Sequence, residues 1–470
     1  MHLAMGFPIG ALSRGCAALN EQRFSAQNSL FRMNTKHTAE NVVGAFAVAL
    51  FGGIFLFTGQ ELILSAAVWI CASNPALGQL ASFQIGSLEI HPSGVANAAL
   101  LFGATVFIGT HLRESRLAVS QTFRPFALFT AFAVLRLLDA PDKAIAVKEL
   151  ILLATPLAIG MVAWISLANG LPKSRVEKQV LMSPLLALTF LAFEALSGRA
   201  GYDEYGLVSS VGKSIALFGL PILALALSFW RYEKEKKWPL LAAMLSLGLI
   251  LLTVQRMASI VALLVLTPLR FVKLERGILR NLATWLSVGC AAGWILLQVP
   301  TVQYRFFEHK ENPVFDQEET MINTSGRTVV WLITIDNALK KPFLGHGTGS
   351  SEVFIRAAQL PGLDHPHEEY LRVWHDLGIV GVALFLLGWI GRLRRHVKLW
   401  RSLEGTPELA RPHMAAALGC LALMLSFLTD NTLVYTPAQI PAFLLFAIAD
   451  RATRPGTAAL AGIRMAESAA

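Results

Sequence analysis

The chain has 470 residues, 54% of them hydrophobic and only 15% charged, with a formal net charge of +9. That balance excludes an ordinary soluble globular protein. The basic residues fall in short clusters between apolar runs, which is the pattern of membrane topology rather than of nucleic-acid binding. Four cysteines (Cys16, Cys71, Cys290, Cys420) stand far apart without a CxxC pair, so no disulfide framework or thiolate metal site is implied.

Apolar runs of about twenty residues recur, long enough to cross the hydrocarbon layer as helices. They lack the alternation of barrel strands, and in lipid the backbone must satisfy its own hydrogen bonds. The expected fold is an all-α polytopic membrane protein with about twelve transmembrane helices.

Residues 1–40 read as a cytoplasmic tail carrying Arg14, Arg23, Arg32 and Lys36, with no signal-peptide pattern. Met33 is an alternative start to Met1. A transmembrane bundle is expected over 41–299, with nine spans near 41–58, 93–110, 123–140, 145–168, 180–197, 211–230, 238–254, 257–270 and 281–299. The piece ELILSAAVWICAS reads as too short to cross, and therefore as an extension or interfacial helix. Spans 10–12 are expected within 372–450, near 372–391, 413–430 and 432–450, followed by a tail over 451–470. Basic clusters such as HLRESR, RYEKEKK and RLRRHVKLWR all land on one side, which places both termini in the cytoplasm. The large polar insertion over 300–371, between spans 9 and 10, then lies outside the cytoplasm.

That insertion has its own grammar. Ser325 can cap a helix whose apolar positions Val329, Ile333 and Ile335 suit a membrane surface, ended by Pro342 and the turn GHGTGS. The turn lacks the GK[ST] ending of a phosphate loop, so nucleotide binding is not expected. The insertion ends in DHPHEEYLRVWHDLGIVG, where Asp364, His365, His367, Glu368, Glu369 and His375 crowd together.

Pro366 suits the first position of a helix and Asp364 its cap, which would put His367 at a helix N-terminus. The dipole there favours neutral imidazole, the form a general base needs, while Glu368 and Glu369 push the other way. The plainer reading is a loop histidine that caps or packs. Arg256, between two apolar runs, and Arg327, in SGR, could grip a diphosphate through their planar forks, or else snorkel to the surface. For Arg136, Lys148 and Lys213 snorkelling is the better reading. Zinc is a rival reading of His365, His367, Glu369 and His375, but no HExxH occurs. Asp430 with Asn431 marks either a hairpin turn or a group that orients a catalytic residue.

These residues resemble the O-antigen ligase family. Its signature runs His, then Asn, Ser or Gln, nine residues, Gly, two residues, then Gly, Thr or Tyr. His367, Gly378 and Gly381 keep that spacing, and Glu368 departs from the usual second residue. Ser325 to Arg327, the KPFLGHGTGS turn and the Arg256 hairpin resemble further family features.

The resemblance implies an O-antigen ligase of lipopolysaccharide biosynthesis in the bacterial inner membrane, its active site facing the periplasm. The donor would be O-polysaccharide on undecaprenyl diphosphate and the acceptor a lipid A-core sugar hydroxyl. Transfer would be inverting and metal-independent, with no cofactor and no nucleic-acid partner. His367 would be the catalytic residue, and Arg256 and Arg327 would bind the diphosphate. His365, Glu368, Tyr370, Asp430 and Arg136 would support them. An O-antigen polymerase with a lipid-linked glycan acceptor is the nearest alternative. A polysaccharide-lipid transporter is the alternative of another class, although no internal repeat or mid-membrane polar helix speaks for it.

Overall fold

The computed structural model describes residues 60–79, 83–85, 88–90, 91–196, 202–203, 206–207, 211–253, 256–266, 298, 327–358 and 364–453. The expected first span at 41–58, the ninth at 281–299 apart from Gln298, and residues 300–326 and 359–363 of the insertion, Ser325 among them, lie outside these residues. Regular structure among the described residues is helical, apart from two short antiparallel ribbons that pair Phe83–Ile85 with Leu88–Ile90 and Tyr202–Asp203 with Gly206–Leu207.

The helices are α1 (Gln60–Gln79), α2 (Pro92–Thr110), α3 (Leu112–Ala118), α4 (Arg124–Leu135), α5 (Lys143–Ala168) and α6 (Lys173–Leu196). Then come α7 (Val211–Tyr232), α8 (Lys237–Leu252), α9 (Arg256–Leu266), α10 (Arg327–Ala338) and α11 (Ser350–Ala357). The chain closes with α12 (Glu369–Ser402), α13 (Pro407–Ser426) and α14 (Thr436–Ala452). A π turn over Val119–Phe123 joins α3 to α4. Among the described residues five segments are long and apolar enough to cross a membrane: Pro92–Thr110, Leu112–Asp139, Lys143–Ala168, Glu369–Ser402 and Pro407–Ser426. The chain is thus a helical, multi-pass membrane protein.

Local chemistry sets the helix ends. Asp142 caps α5 by accepting from the amides of Ala144 (2.8 Å) and Ile145 (3.1 Å). Pro92 opens α2 from the first turn, where a missing N–H costs nothing. Prolines also sit inside α5, α6, α7, α13 and α14, as membrane bundles tolerate when neighbouring helices cover the freed backbone.

The segment read from sequence as too short to cross, an extension or interfacial helix, is the helix α1, whose apolar part Gln60–Ser73 is shorter than a span. α1 packs against α6, α2, α7 and α14, burying Ile63, Leu64, Ala67, Val68 and Cys71 at helical spacing. The bundle centre is aromatic. Phe126 of α4, Phe385 and Trp389 of α12, Phe427 after α13, and Phe443 and Phe446 of α14 meet in edge-on and tilted contacts with centroids 4.9–6.3 Å apart. This core fixes α12, and the N-terminal end of α12 carries the polar cluster.

Candidate functional site

α12 begins at Glu369, three residues after the Pro366 start that the sequence suggested. The cap is Glu368, whose carboxylate accepts from the amides of Tyr370 (3.3 Å) and Leu371 (2.5 Å). Asp364 is instead exposed, 3.6 Å from Arg356. The second position of the signature is therefore a capping position. It needs a side-chain acceptor, and glutamate supplies one as Asn or Ser would. Burial pushes the Glu368 carboxyl up to about 7, against the lowering pull of the two amides it caps.

His367, one residue before the cap, has φ 55° and is the one non-glycine residue with positive φ among the described residues. Such a backbone costs of order 1–3 kcal/mol and persists only where its surroundings enforce it. Here they do. Trp331 of α10 donates to the Pro366 carbonyl at 2.7 Å, and the Glu369 amide donates to Phe427 O at 2.8 Å. The imidazole is buried, with Nδ1 3.9 Å from Asp430 Oδ1. Asp430 lies in the turn after α13 and accepts from the Asn431 amide at 2.9 Å.

The same turn holds Arg327, which opens α10 and donates through Nη1 to Thr429 O at 2.5 Å. Two residues far apart in sequence, Arg327 and His367, thus meet the adjacent residues Thr429 and Asp430. Arg256 opens α9, but its side chain lies outside the described residues, so the structure does not place its guanidinium. The Tyr370 hydroxyl donates to Met424 O at 2.9 Å, away from His367.

Glu369, which the sequence placed in the crowded run, forms a second layer with Arg372, which sequence reasoning passed over. The Glu369 carboxylate accepts from the Leu433 amide at 2.6 Å and from Arg372 Nη1 at 3.2 Å, and Arg372 Nη2 also pairs with Glu149 of α5. All three are buried. This chain pins the mouth of α12 to α5 and to the 427–433 turn. The available signals were the Glu–Arg pair at i, i+3 and a lone acid in an apolar span.

Beside this layer, Glu352 of α11 is buried and held by Lys148 (2.6 Å) and Arg356 (2.7 Å), with His365 Nε2 at 3.8 Å. Burial, then Arg372 and Lys148, keep His365 well below the ordinary histidine range, so it is neutral. Glu149, Glu352 and His365 offer ligand atoms within 4.8 Å of one another. Lys148, Arg356 and Arg372 already neutralise those carboxylates, so the group is an ion-paired knot whose side chains serve as one another's counter-ions.

The turn after α10 is a strap clamped on α12. Asp376 accepts from the Ser350 hydroxyl (2.9 Å) and the amides of Ser351 (2.7 Å) and Gly349 (3.2 Å). Asn337 donates to His375 Nε2 at 2.9 Å, which leaves the proton on Nδ1, facing Asp376 Oδ1 at 3.1 Å. Both nitrogens of His375 are thereby engaged in structure. α12 breaks at Gly378 (φ 66°), where the Ile379 and Val380 amides donate to Pro342 O (2.9 Å) and Phe343 O (3.3 Å). A Cβ at Gly378 would stand 2.2 Å from Phe343 O, and one at Gly345 2.4 Å from Asp376 O. Arg136 joins the clamp by donating to Gly345 O at 3.2 Å while paired with Asp139. The fixed distance from His367 to Gly378 measures the span from the cap to this break.

Residues 241–386 match the family model described as O-antigen ligase. This stretch of the chain is similar to the O-antigen ligase family. The match runs from α8 into α12 and takes in Arg256, Arg327, the strap, His367, Gly378 and Gly381. It leaves Glu149, Lys148 and the 427–433 turn outside, although they pack on the matched part. No curated protein matches the chain.

Proposed function

We propose that the protein is an O-antigen ligase that transfers O-polysaccharide from undecaprenyl diphosphate to a hydroxyl of lipid A-core. The site faces the periplasm, and the protein resides in the inner membrane with both termini cytoplasmic. The proposed topology keeps twelve spans with the insertion between the ninth and tenth.

The observation that carries this reading is the strained, buried His367 with its Nδ1 turned toward Asp430, one residue from the carbonyl that anchors Arg327. In the proposed reaction His367 Nε2 takes the proton of the acceptor hydroxyl as its oxygen attacks the anomeric carbon. Asp430 favours the Nδ1–H tautomer, in which Nε2 is the accepting nitrogen, and stabilises the imidazolium that forms. The bond to the diphosphate oxygen breaks with inversion, and Arg327 and Arg256 stabilise the charge developing on the leaving group. Lys148, Arg356 and Arg372 keep the neighbouring carboxylates from repelling that group.

The test uses purified protein, lipid-linked O-polysaccharide and rough lipid A-core, with and without EDTA. A conjugate on lipid A-core identified by mass spectrometry, insensitive to EDTA and lost in His367→Ala, is the expected result. Glycans that lengthen on the undecaprenyl carrier while lipid A-core stays unmodified would make the protein a polymerase. Loss of the conjugate on chelation would overturn the metal-independent mechanism.

A further inference from the structure

α10 buries one stripe and exposes another. Val330, Thr334 and Ala338 face inward at i, i+4 and i+8, toward α12 and α11. On the other side Leu332 (64% exposed) and Leu339 (58%) stand in the open with Ile335 between them. The apolar surface continues into the strap at Phe343 (71% exposed) and Leu344. From there it passes onto α12 at Ile379, whose amide bonds Pro342 O. A soluble surface seldom exposes so many large apolar side chains in one contiguous patch.

Two observations say what covers it. The patch is continuous with the outward face of a candidate membrane span: Ile379 belongs to Glu369–Ser402, and Leu387 farther along that helix is 62% exposed. Its polar edge carries Asp336, Lys340 and Lys341, all exposed, with Lys340 3.3 Å from Asp336. The stripe of aliphatic and aromatic side chains with lysines beside it is the composition of a helix lying in a headgroup–acyl boundary.

We propose that α10 and the 339–344 strap form a lipid-docking surface, seated flat in the outer edge of the bilayer with Leu332, Leu339 and Phe343 immersed and Lys340 and Lys341 at anionic headgroups. The spans alone do not require this, because α10 is too short to cross. Arg327 opens the same helix, so the seating holds its guanidinium at headgroup depth. There it meets a phosphate borne by a membrane amphiphile, not one carried by a soluble nucleotide. That last clause rests on the proposed function; the docking itself does not.

The experiment places spin labels at Leu332→Cys, Leu339→Cys and Asp336→Cys in the full chain, reconstituted in phosphatidylethanolamine–phosphatidylglycerol vesicles. Cys16 and Cys290 are replaced by Ala; Cys71 and Cys420 are buried and stay unlabelled. All three positions are exposed, so substitution leaves the fold intact. Collision rates with oxygen, which partitions into lipid, and with a water-soluble nickel chelate are then compared. Labels at 332 and 339 should favour oxygen several-fold over the chelate, with 336 shifted toward the chelate. Preference for the chelate at all three positions overturns the proposal. Protection from both reagents that disappears on dilution into excess lipid also overturns it, and assigns the patch to a second copy of this chain. The readout needs no transfer reaction, so failure of the ligase assay and failure of the docking are separately visible.

Discussion

α12 carries buried polar clusters at both of its ends, and they are built differently. At the N-terminal end stand His367, Glu369, Arg372, His375 and Asp376. Toward the C-terminal end Arg392 and Arg395 pair with Asp450 at 2.7 and 3.0 Å, and His396 Nδ1 lies 3.0 Å from His413 Nδ1. Nearby, Arg411 is held between Glu177 (2.9 Å) and Glu233 (2.7 Å) and lies 3.8 Å over the Phe229 ring. Each end sets two histidines, His367 and His375 or His396 and His413, among buried ion pairs. Only the N-terminal end has a left-handed non-glycine backbone, a helix broken at Gly378 and convergence of several loops. Buried ion pairs hold a membrane bundle in register; the strained geometry distinguishes a candidate site from a structural lock.

The sharpest way to break this comparison is to truncate a histidine at each end. His367→Ala should lower transfer by about 10²–10⁴-fold, the range a general base supplies. The melting temperature in detergent should change little, because the imidazole lies outside the aromatic core of the bundle. His396→Ala should do the reverse, lowering the melting temperature while leaving transfer per folded molecule near wild type. Equal activity losses at both ends would remove the distinction. Product yields by gel, normalised to folded protein by size exclusion, make the measurement.

Next in size are the buried arginines. Arg372→Met strands Glu149 and Glu369, and Arg411→Met strands the buried Glu177, whereas Glu233 keeps its pair with Lys236. Each should cost about 3–5 kcal/mol, since an uncompensated buried charge is left behind. The Arg372 change should also depress transfer in the fraction that remains folded, because it frees the 427–433 turn behind Asp430. Thermal melts of both variants, with activity measured well below the midpoint, separate the two effects.

Glycines along α12 give a finer contrast. Gly378→Ala puts a Cβ against Phe343 O in a backbone that L residues disfavour, a loss of at least about 1–3 kcal/mol. At Gly391 a Cβ would meet nothing within 4 Å, so Gly391→Ala should be neutral or stabilising by up to about 1 kcal/mol through helix propensity. Chemical denaturation in mixed micelles would compare them.

How much of this was legible depended on the range of the interactions. Hydropathy located the helices Pro92–Thr110 and Lys143–Ala168 to within two residues, and set Pro407–Ser426 several residues late at 413–430, because spanning helices are written in consecutive positions. It gave α1 an apolar run too short to cross, as the structure has it, but not the helices distant in sequence that complete its buried face. The crowded run from Asp364 to His375 was visible as composition. Its division of labour was not: the carboxylate that caps the helix, the buried His375 locked by Asn337, and Glu149, which lies 223 positions before its partner Arg372, exist only once the chain has folded. Arg136 and Lys148 look like snorkelling residues in isolation, yet one fastens the strap and the other neutralises Glu352. The spacing between His367 and Gly378 was readable as a pattern, and the clamp at Phe343 supplies its physical meaning.

The smallest effect is the one that singles out Glu368. Its carboxyl titrates near 7, well above the free value of about 4.3, because burial disfavours the charge. A folded-state pKa raised in this way contributes stability that is full below the unfolded value and is lost as pH rises through about 7. The wild-type protein should therefore lose stability relative to Glu368→Gln as pH rises from 4.5 to 8. Glutamine keeps a side-chain acceptor for the Tyr370 and Leu371 amides but cannot titrate. If the cap positions His367, the Gln variant should retain most transfer and lose an inflection near pH 7 from its activity profile. Glu368→Ala, lacking the acceptor, should lose transfer at every pH. An inflection that survives in the Gln variant would belong to His367 itself, and the cap would then hold the helix without tuning the base.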